Sequence, residues 1–270
     1  MSLTLLIIDP QNDFVSSKGS LSVPGASADM DRLATMVRRI GPKLDDVVCT
    51  LDSHRRVDIS HPLWFRDSAG NMPAPFTMIS AADLRSGKWN TYLPSYRART
   101  LQYLEALEAG GRYPHIIWPE HCLIGSEGHG VWPNLLDAIH QWEGSFALAG
   151  MVTKGSNMWT EHFSAVKAEV PDPNDPSTQI NTDLIRTLEE SDQILIAGEA
   201  LSHCVLSTVE DIALYFSNPD YVKKMILLTD ATSNVPNPPG TTLFSDRAAQ
   251  FITTMKAKGM KTATTVDFLR

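Results

Sequence analysis

Short apolar runs of β character alternate along this chain with stretches in which apolar residues recur at helical spacing. Between the first two runs, Met30, Leu33, Ala34 and Val37 lie on one face of a predicted helix. This alternation is typical of a parallel sheet whose strands are connected by crossover helices. It predicts a three-layer α/β/α domain around a central, mostly parallel, six-stranded sheet, with strands at residues 3–8, 47–51, 115–118, 146–152, 194–197 and 225–228.

The C-terminal part of the chain continues the pattern with two helical stretches and one β-type stretch. Because several predicted strands are apolar on both faces, we expect helices on both sides of the sheet. The last β-type stretch, residues 262–266, is predicted to be an edge strand. The two helical faces consist of Val205, Val209, Ile212, Ala213 and Phe216, and of Phe244, Ala248, Phe251, Ile252 and Met255.

Residues 62–114 interrupt this rhythm with scattered prolines and aromatic residues. We predict an irregular insertion with one helix near Leu104, within a single domain that spans residues 1–270. Long irregular loops in compact domains are usually functional or mobile. The insertion's aromatic residues either anchor an interface between subunits or pack the loop onto the domain. They are Trp64, Trp89 and Tyr92.

Composition and charge exclude several classes of partner. The 270 residues are 43% hydrophobic and 20% charged, the balance of an ordinary globular protein. Lys and Arg number 23 and Asp and Glu 31, giving a formal net charge of −8, so no basic surface is predicted for nucleic acid or an anionic membrane. The 3 cysteines are widely spaced and odd in number. They favour free thiols in a reducing, cytoplasmic compartment over a disulfide framework.

Polar residues directly after the predicted strands are the first candidates for chemistry, because ligands of open α/β sheets bind at the carboxyl ends of the strands. Asp9, Lys154 and Cys204 hold such positions. Cys204 also begins a predicted helix, whose dipole favours a thiolate. Together they offer a nucleophile, a proton acceptor and a charge-stabilising ammonium, which suits acyl chemistry. Taken singly, each has a structural alternative: a turn residue, a solvated lysine and a small buried hydrophobe.

A second group of residues at the same edge has the composition of a metal site. Asp52 and His54 are two positions apart, so an extended segment places both side chains on one side. His121, after the next predicted strand, offers a third ligand. One Asp and two His with open positions suit a catalytic Zn²⁺, or Fe²⁺ or Mn²⁺, better than a closed structural site. Asp58 and His61 are candidates for a further ligand or for a supporting role.

Taken together, these motifs resemble the isochorismatase-like cysteine hydrolases, and specifically their nicotinamidase/pyrazinamidase branch. The matching segments occur in family order from residue 3 to about residue 235. The resemblance implies the isochorismatase-like fold, which has a Rossmann-type topology. The segments are residues 7–14, 19–26, 52–54, 118–126, 154–155 and 198–205.

The resemblance also implies a role for each candidate at the nucleophile. Asp9, Lys154 and Cys204 would form the catalytic triad. The backbone N–H groups of Ala200 and Cys204 would form an oxyanion hole, beside a cis peptide at about Glu199–Ala200. A tetrahedral intermediate formed on the thiol would place its negative oxygen against these two donors.

Three aromatic residues and the metal candidates complete the implied site. Phe14 and Trp118 match the aromatic residues that sandwich the substrate ring in the family, and Phe163 matches a third. Core packing is the alternative for all three. The metal would be one divalent transition ion, zinc before iron or manganese, on the Asp and two His named above, and in the family it holds the pyridine nitrogen.

The chain departs from the family pattern in three places. Asp58 stands where the family often has a histidine, so the resemblance leaves the identity of the fourth metal ligand open. The insertion at residues 62–114 is longer than the usual connection and could reshape the pocket or build an oligomer interface. Glu199, Ser202 and His203 differ from the commoner residues of the nucleophile loop, so the recognised amide is open.

These observations predict a metal-assisted cysteine amidohydrolase that converts nicotinamide to nicotinate and ammonia through a thioester. We expect a small-molecule amide as the partner and a homo-oligomeric assembly. The first alternative is another reaction of the superfamily, on isochorismate or a carbamoyl or ureido compound, although those branches generally lack the metal site. A non-catalytic homologue and a redox role for Cys204 with Cys122 as its neighbour are further alternatives.

Overall fold

The computed structural model of the protein describes residues 2–110 and 112–269, and a six-stranded sheet lies at its centre. All neighbouring strands in this sheet are parallel, in the order β5-β2-β1-β6-β7-β8. This confirms the predicted α/β class and the parallel six-stranded sheet. Its strands are β1 (Leu3–Ile8), β2 (Asp46–Asp52), β5 (Gly150–Lys154), β6 (Gln193–Gly198), β7 (Met225–Leu228) and β8 (Lys261–Ala263), while β3 (Phe65–Arg66) and β4 (Asn90–Thr91) form a separate antiparallel pair.

Two of the predicted strands were wrong in place or extent. Residues 115–118 are buried but do not join the sheet, because their backbone hydrogen-bonds to residues 76–79 of the insertion instead. Their place as sixth strand is taken by the edge strand β8, which overlaps the predicted stretch 262–266 but begins at Lys261 and ends at Ala263. Strand β5 begins at Gly150, since Phe146 lies in the turn before it with a positive φ of 64° and is fully exposed.

The helices pack around this sheet. Helix α2 packs against α5, and α7 packs against α8. The predicted apolar faces correspond to α2, α7 and α8, whereas α5 and α6 were not predicted. The helices are α1 (Asn12–Val15), α2 (Ala26–Ile40), α3 (Ala81–Ser86), α4 (Arg97–Gly110), α5 (Pro133–Glu143), α6 (Thr182–Glu190), α7 (Leu206–Tyr215) and α8 (Leu243–Ala257). No helix in the described ranges is long and apolar enough to cross a membrane.

The insertion is more regular than the sequence indicated. Its described residues contain two α-helices, α3 and α4, two short 3-10 helices and the β3–β4 pair, instead of one helix in an irregular loop. Ser80 caps α3 in a reciprocal arrangement with Asp83, which satisfies two free N–H groups at its start. The insertion also has its own apolar cluster, in which Trp64, Phe65 and Leu104 are buried. That cluster, and not sequence periodicity, fixes its shape.

The main core positions the functional edge of the sheet. Every residue of β1 is buried, as expected for a central strand covered on both faces. Register aligns the ends of the strands, since Ile8 pairs with Gly198 and Asp52 pairs with Lys154. Because the strands are parallel, the segments that follow β1, β2, β5 and β6 all leave the sheet at one edge.

Candidate active site

Four buried polar side chains meet at this edge of the sheet. Asp9 follows β1 directly, Asp52 is the last residue of β2, and Lys154 is the last residue of β5. Cys204 lies in the turn Leu201–Val205, which connects β6 to α7. All four are at most 6% exposed. The sequence placed them at strand ends, and the structure brings them into contact.

Lys154 connects the other three. Its Nζ lies 2.9 Å from Asp9 Oδ2 and 3.1 Å from Asp52 Oδ1, and it donates to Cys204 Sγ at 3.6 Å. It also donates to the carbonyl of His162 at 3.0 Å. Burial alone would lower the pKa of Lys154, but Asp52 and Asp9 outweigh burial and hold it well above its usual value. The two carboxylates therefore favour the charged ammonium within this cluster.

Asp9 is the best-placed proton acceptor for the thiol. Its Oδ1 accepts a hydrogen bond from the Thr50 hydroxyl at 2.6 Å, and its backbone N–H donates to the same hydroxyl at 3.0 Å. Burial raises the pKa of Asp9, and the Lys154 ammonium offsets part of that increase. A carboxylate whose pKa lies above its usual value takes up a proton more readily near neutral pH, as a general base must.

The Cys204 thiol differs from the sequence expectation of a thiolate stabilised by a helix N-terminus. Burial raises its pKa well above the usual value, and Lys154 counteracts only part of that effect. Burial therefore favours the neutral thiol over the thiolate. A nucleophilic role for this sulfur would need a neighbouring base to take its proton, and Asp9 contacts the same Lys154 ammonium as the thiol.

The backbone before Cys204 has the predicted cis peptide between Glu199 and Ala200. Gly198 precedes it with a φ of 118°, and a Cβ atom at this glycine would lie 2.0 Å from the carbonyl oxygen of Ile8. Only glycine allows β6 and β1 to approach so closely at this point. The loop therefore turns directly over the end of β1, where Asp9 lies.

The three predicted metal ligands lie together beside the triad. The nearest ligand atoms of Asp52, His54 and His121 all lie within 4.8 Å of one another. His54 Nε2 lies 3.0 Å from Asp52 Oδ2, and His121 Nε2 lies 3.4 Å from the same oxygen. His121 Nδ1 is hydrogen-bonded to the Pro119 carbonyl at 2.8 Å, which directs Nε2 toward the shared position.

The two candidates for a further ligand have different surroundings. Asp58 Oδ2 lies 3.1 Å from His54 Nδ1, while Asp58 Oδ1 accepts from the backbone and hydroxyl of Ser60. It therefore orients His54 from behind. His61 is fully buried, and neither of its ring nitrogens has a hydrogen-bond partner among the described residues. Its ring centroid lies 5.1 Å from that of His54 and 5.5 Å from that of His121.

A small apolar pocket opens onto both groups. All three predicted aromatic residues line it, together with Ala200 and Cys204 at one side. Trp118 and Phe163 meet edge to face, with ring centroids 6.3 Å apart. The complete lining is Phe14, Leu21, Asp52, Trp118, His121, Glu161, Phe163, Ala200, His203, Cys204 and Val235.

Three residues at the site were missed or left without a role by sequence reasoning. Glu161 accepts the indole N–H of Trp118 at 3.1 Å, and burial raises its pKa to about 8. His203 lines the pocket with a neutral ring, since burial lowers its pKa to about 3. Gln11 exchanges two hydrogen bonds with the backbone of Asp52, both at 2.7 Å. Gln11 and His203 lie within matched segments, so they had a sequence signal, whereas Glu161 had none.

Comparisons with known proteins were made by sequence and by structure. No family model matches the chain. A curated nicotinamidase from Saccharomyces cerevisiae is 25% identical over 207 residues, which cover 76% of this chain and 78% of that protein. The solved structure of the yeast nicotinamidase Pnc1p aligns with a TM-score of 0.64 at 21% identity, covering 97% of this chain and 99% of that one.

A further solved structure supports the same fold. The pyrazinamidase of Pyrococcus horikoshii, determined in complex with zinc, aligns with a TM-score of 0.56 at 19% identity and covers 98% of this chain and 99% of that one. Both alignments extend over nearly the whole of each chain. The chain thus has the fold of the nicotinamidases and pyrazinamidases and resembles them in sequence, as its motifs predicted.

Proposed function

We propose that this protein is a metal-assisted cysteine amidohydrolase that converts nicotinamide to nicotinate and ammonia. The observation that carries the proposal is the contact of Lys154 with Asp9, Asp52 and Cys204 at the floor of an aromatic pocket. That contact joins a nucleophile and its base to a cluster of metal-ligand side chains. The sequence and fold likeness to nicotinamidases supports the choice of substrate.

The residues beside the triad fit a divalent transition metal. One carboxylate and two imidazoles, each with its Nε2 toward the shared carboxylate, are a donor set that zinc accepts. The ring nitrogens of His61 have no partner in the part of the chain that the structure describes, which favours this residue as the further ligand, whereas Asp58 is occupied with His54 and Ser60. When bound, the ion would supply a Lewis acid that holds an acceptor atom of the substrate ring.

The first chemical step joins the thiol to the carboxamide. Asp9 accepts the proton of Cys204 as the sulfur attacks the carboxamide carbon. The resulting oxyanion is stabilised by the backbone N–H groups of Ala200 and Cys204, each of which is worth about 2.7–4 kcal/mol in well-studied cases. Protonated Asp9 then gives its proton to the departing nitrogen. Ammonia leaves, the carbonyl re-forms, and a thioester remains on Cys204.

The second step releases the acid. Asp9 accepts a proton from water as the oxygen attacks the thioester carbon, and the same two amides hold the new oxyanion. Collapse of this intermediate breaks the C–S bond, and the sulfur takes the proton back from Asp9. Throughout, Lys154 keeps its three anionic or polar partners in place and compensates the negative charge that moves between sulfur and carboxylate.

The test is ammonia release from nicotinamide by the purified protein, with metal content measured on the same sample. We expect release by protein that carries about one transition metal per chain, and none by the Cys204→Ala variant. The Cys49→Ala variant, which removes a buried cysteine of β2, is the matched control. Release that persists in Cys204→Ala would refute the assigned nucleophile, and a metal-loaded protein with no release would refute nicotinamide as the substrate.

A further inference from the structure

Glu199 is a buried acid at the turn that carries the proposed oxyanion hole. It is fully buried, and its peptide bond to Ala200 is cis. Its backbone N–H donates to the Ile8 carbonyl at 2.7 Å, and its Oε2 accepts from the Ser233 backbone at 3.1 Å. Ser233 in turn accepts from the Leu201 N–H at 2.8 Å. The Glu199 side chain therefore closes a ring of hydrogen bonds around Ala200.

The same side chain meets a second carboxyl group. Asp29 of α2 contacts the same residue, Ser233, that Glu199 Oε2 bonds to, so two buried carboxyl groups share one neighbour. Asp29 is ion-paired with Arg32 and accepts from the Ser233 hydroxyl at 2.5 Å. Two buried carboxyl groups so close together favour a proton on one of them, and Glu199 is the one that has no ion pair among the described residues. Glu199 Oε1 also has no hydrogen-bond partner in the described part of the chain, so no donor there stabilises a negative charge.

We propose that Glu199 acts as a protonated positioning residue that holds the Ala200 amide and the Cys204 turn in their catalytic arrangement. The proposal rests on the proposed function for its catalytic consequence. Glu199 does not touch the reacting atoms and acts through the backbone that it anchors. The neutral acid accepts from the Ser233 backbone and adds no second negative charge beside Asp29, and this keeps the loop against α2 and the segment after β7.

Deprotonation of Glu199 would weaken the contacts by which its side chain holds the loop before Cys204. Among the described residues, the charged groups around Glu199 are Asp29 and, through it, Arg32, both on α2. Strand β1 contributes the Ile8 carbonyl, and the segment after β7 contributes the backbone and hydroxyl of Ser233. Burial and then Asp29 raise the pKa of Glu199 well above its usual value. An acid with a raised folded-state pKa stabilises the fold at low pH and loses that contribution as pH rises toward the folded pKa. Activity is therefore expected to fall on the alkaline side.

The experiment compares Glu199→Gln and Glu199→Leu with the wild type across pH. Glutamine keeps the hydrogen bond to Ser233 and cannot ionise, so we expect it to retain most of the neutral-pH kcat and to lack the wild type's alkaline decline. Leucine removes that bond, and a displaced oxyanion donor should lower kcat by about 10- to 100-fold with a smaller change in KM. Glu190→Gln, at an exposed position that ends α6, is the matched control and should keep the wild-type profile.

Two readouts keep this test independent of the substrate. The pH dependence of Cys204 alkylation by iodoacetamide should show an alkaline inflection in the wild type that Glu199→Gln lacks. The infrared difference between wild type and Glu199→Gln at neutral pH should contain the C=O band of a protonated carboxylic acid. If no variant hydrolyses nicotinamide, the proposed function fails and these two readouts still decide the role of Glu199. Superimposable alkylation profiles, or absence of the acid band, would overturn it.

Discussion

The candidate site has two halves, the nucleophile with Asp9 and Lys154 and the metal-ligand cluster around His54 and His121. They differ in how completely the protein provides partners for their buried polar groups. At the nucleophile, Lys154 lies 2.9 Å from Asp9, 3.1 Å from Asp52 and 3.6 Å from Cys204, so buried charges compensate one another. At the metal-ligand cluster, His61 is buried, and neither of its ring nitrogens has a hydrogen-bond partner within residues 2–110 and 112–269. Buried polar groups without partners are costly. The difference supports the proposed metal: the chain alone supplies the partners of the nucleophile, whereas the other half has donor atoms to spare for a bound ion.

The largest expected effect comes from removing the cation that joins the two halves. Lys154→Met leaves Asp9 and Asp52 buried without their shared ammonium, so we expect a loss of about 3–5 kcal/mol in the free energy of unfolding. Activity should disappear in the same variant. Chemical denaturation measures the first and ammonia release the second. Lys258→Met, at an exposed position after α8, is the control, and equal stability of the two variants would contradict the compensation described here.

The second prediction is that the metal-ligand cluster can be disrupted without disturbing the nucleophile. His121→Ala removes one predicted metal ligand without touching the triad. We expect the protein to lose its bound metal and its amidase activity, while Cys204 keeps the wild-type rate of alkylation by iodoacetamide. Metal content by atomic emission and the alkylation rate are the two measurements. If the variant lost both its metal and its thiol reactivity, the nucleophile would depend on the metal-ligand cluster, which would contradict this prediction.

A smaller effect distinguishes the two further candidates at the metal cluster. Asp58 contacts His54 Nδ1, so Asp58→Asn should weaken metal affinity by about 10–100-fold, as is usual for partners that orient a ligand. His61→Ala should weaken it more, because a ligand itself is lost. Titration with a competing chelator gives both affinities. The reverse order would assign the fourth position to Asp58.

The smallest effect concerns the pocket wall. Trp118→Leu removes an aromatic face and should raise KM by about 2- to 12-fold, the equivalent of about 0.5–1.5 kcal/mol for an aromatic pair. Metal content and Cys204 alkylation should not change. Trp118→Phe keeps a ring and is the matched control. A drop in kcat with KM unchanged would instead assign Trp118 to the positioning of the catalytic groups.

Much of the fold could be predicted because its signals are local. The buried strands are recognisable in the sequence as apolar runs, and helices α2, α7 and α8 each have an apolar face at helical spacing. The prediction that failed is the strand at residues 115–118. They are as apolar and buried as a central strand, but their backbone partner is the insertion at residues 76–79, and no local pattern identifies a partner.

The candidate site divides in the same way. Asp9, Lys154 and Cys204 could be predicted because parallel strands bring their carboxyl ends to one edge. Glu161 and His203 could not be given roles, since they reach the pocket from a loop and a turn whose paths depend on tertiary packing. The single-domain assignment, the homo-oligomer and the cytoplasmic location stay predictions, as do the catalytic roles themselves.

The most direct test of the central claim is to trap the acyl group on the protein. The reaction with nicotinamide would be stopped by rapid acid quench during turnover, and peptide mass spectrometry would locate the modification. The account predicts one nicotinoyl group on the peptide that contains Cys204 and none on the peptides with Cys49 or Cys122. Nicotinate formed without any adduct on Cys204, or an adduct on either other cysteine, would contradict it.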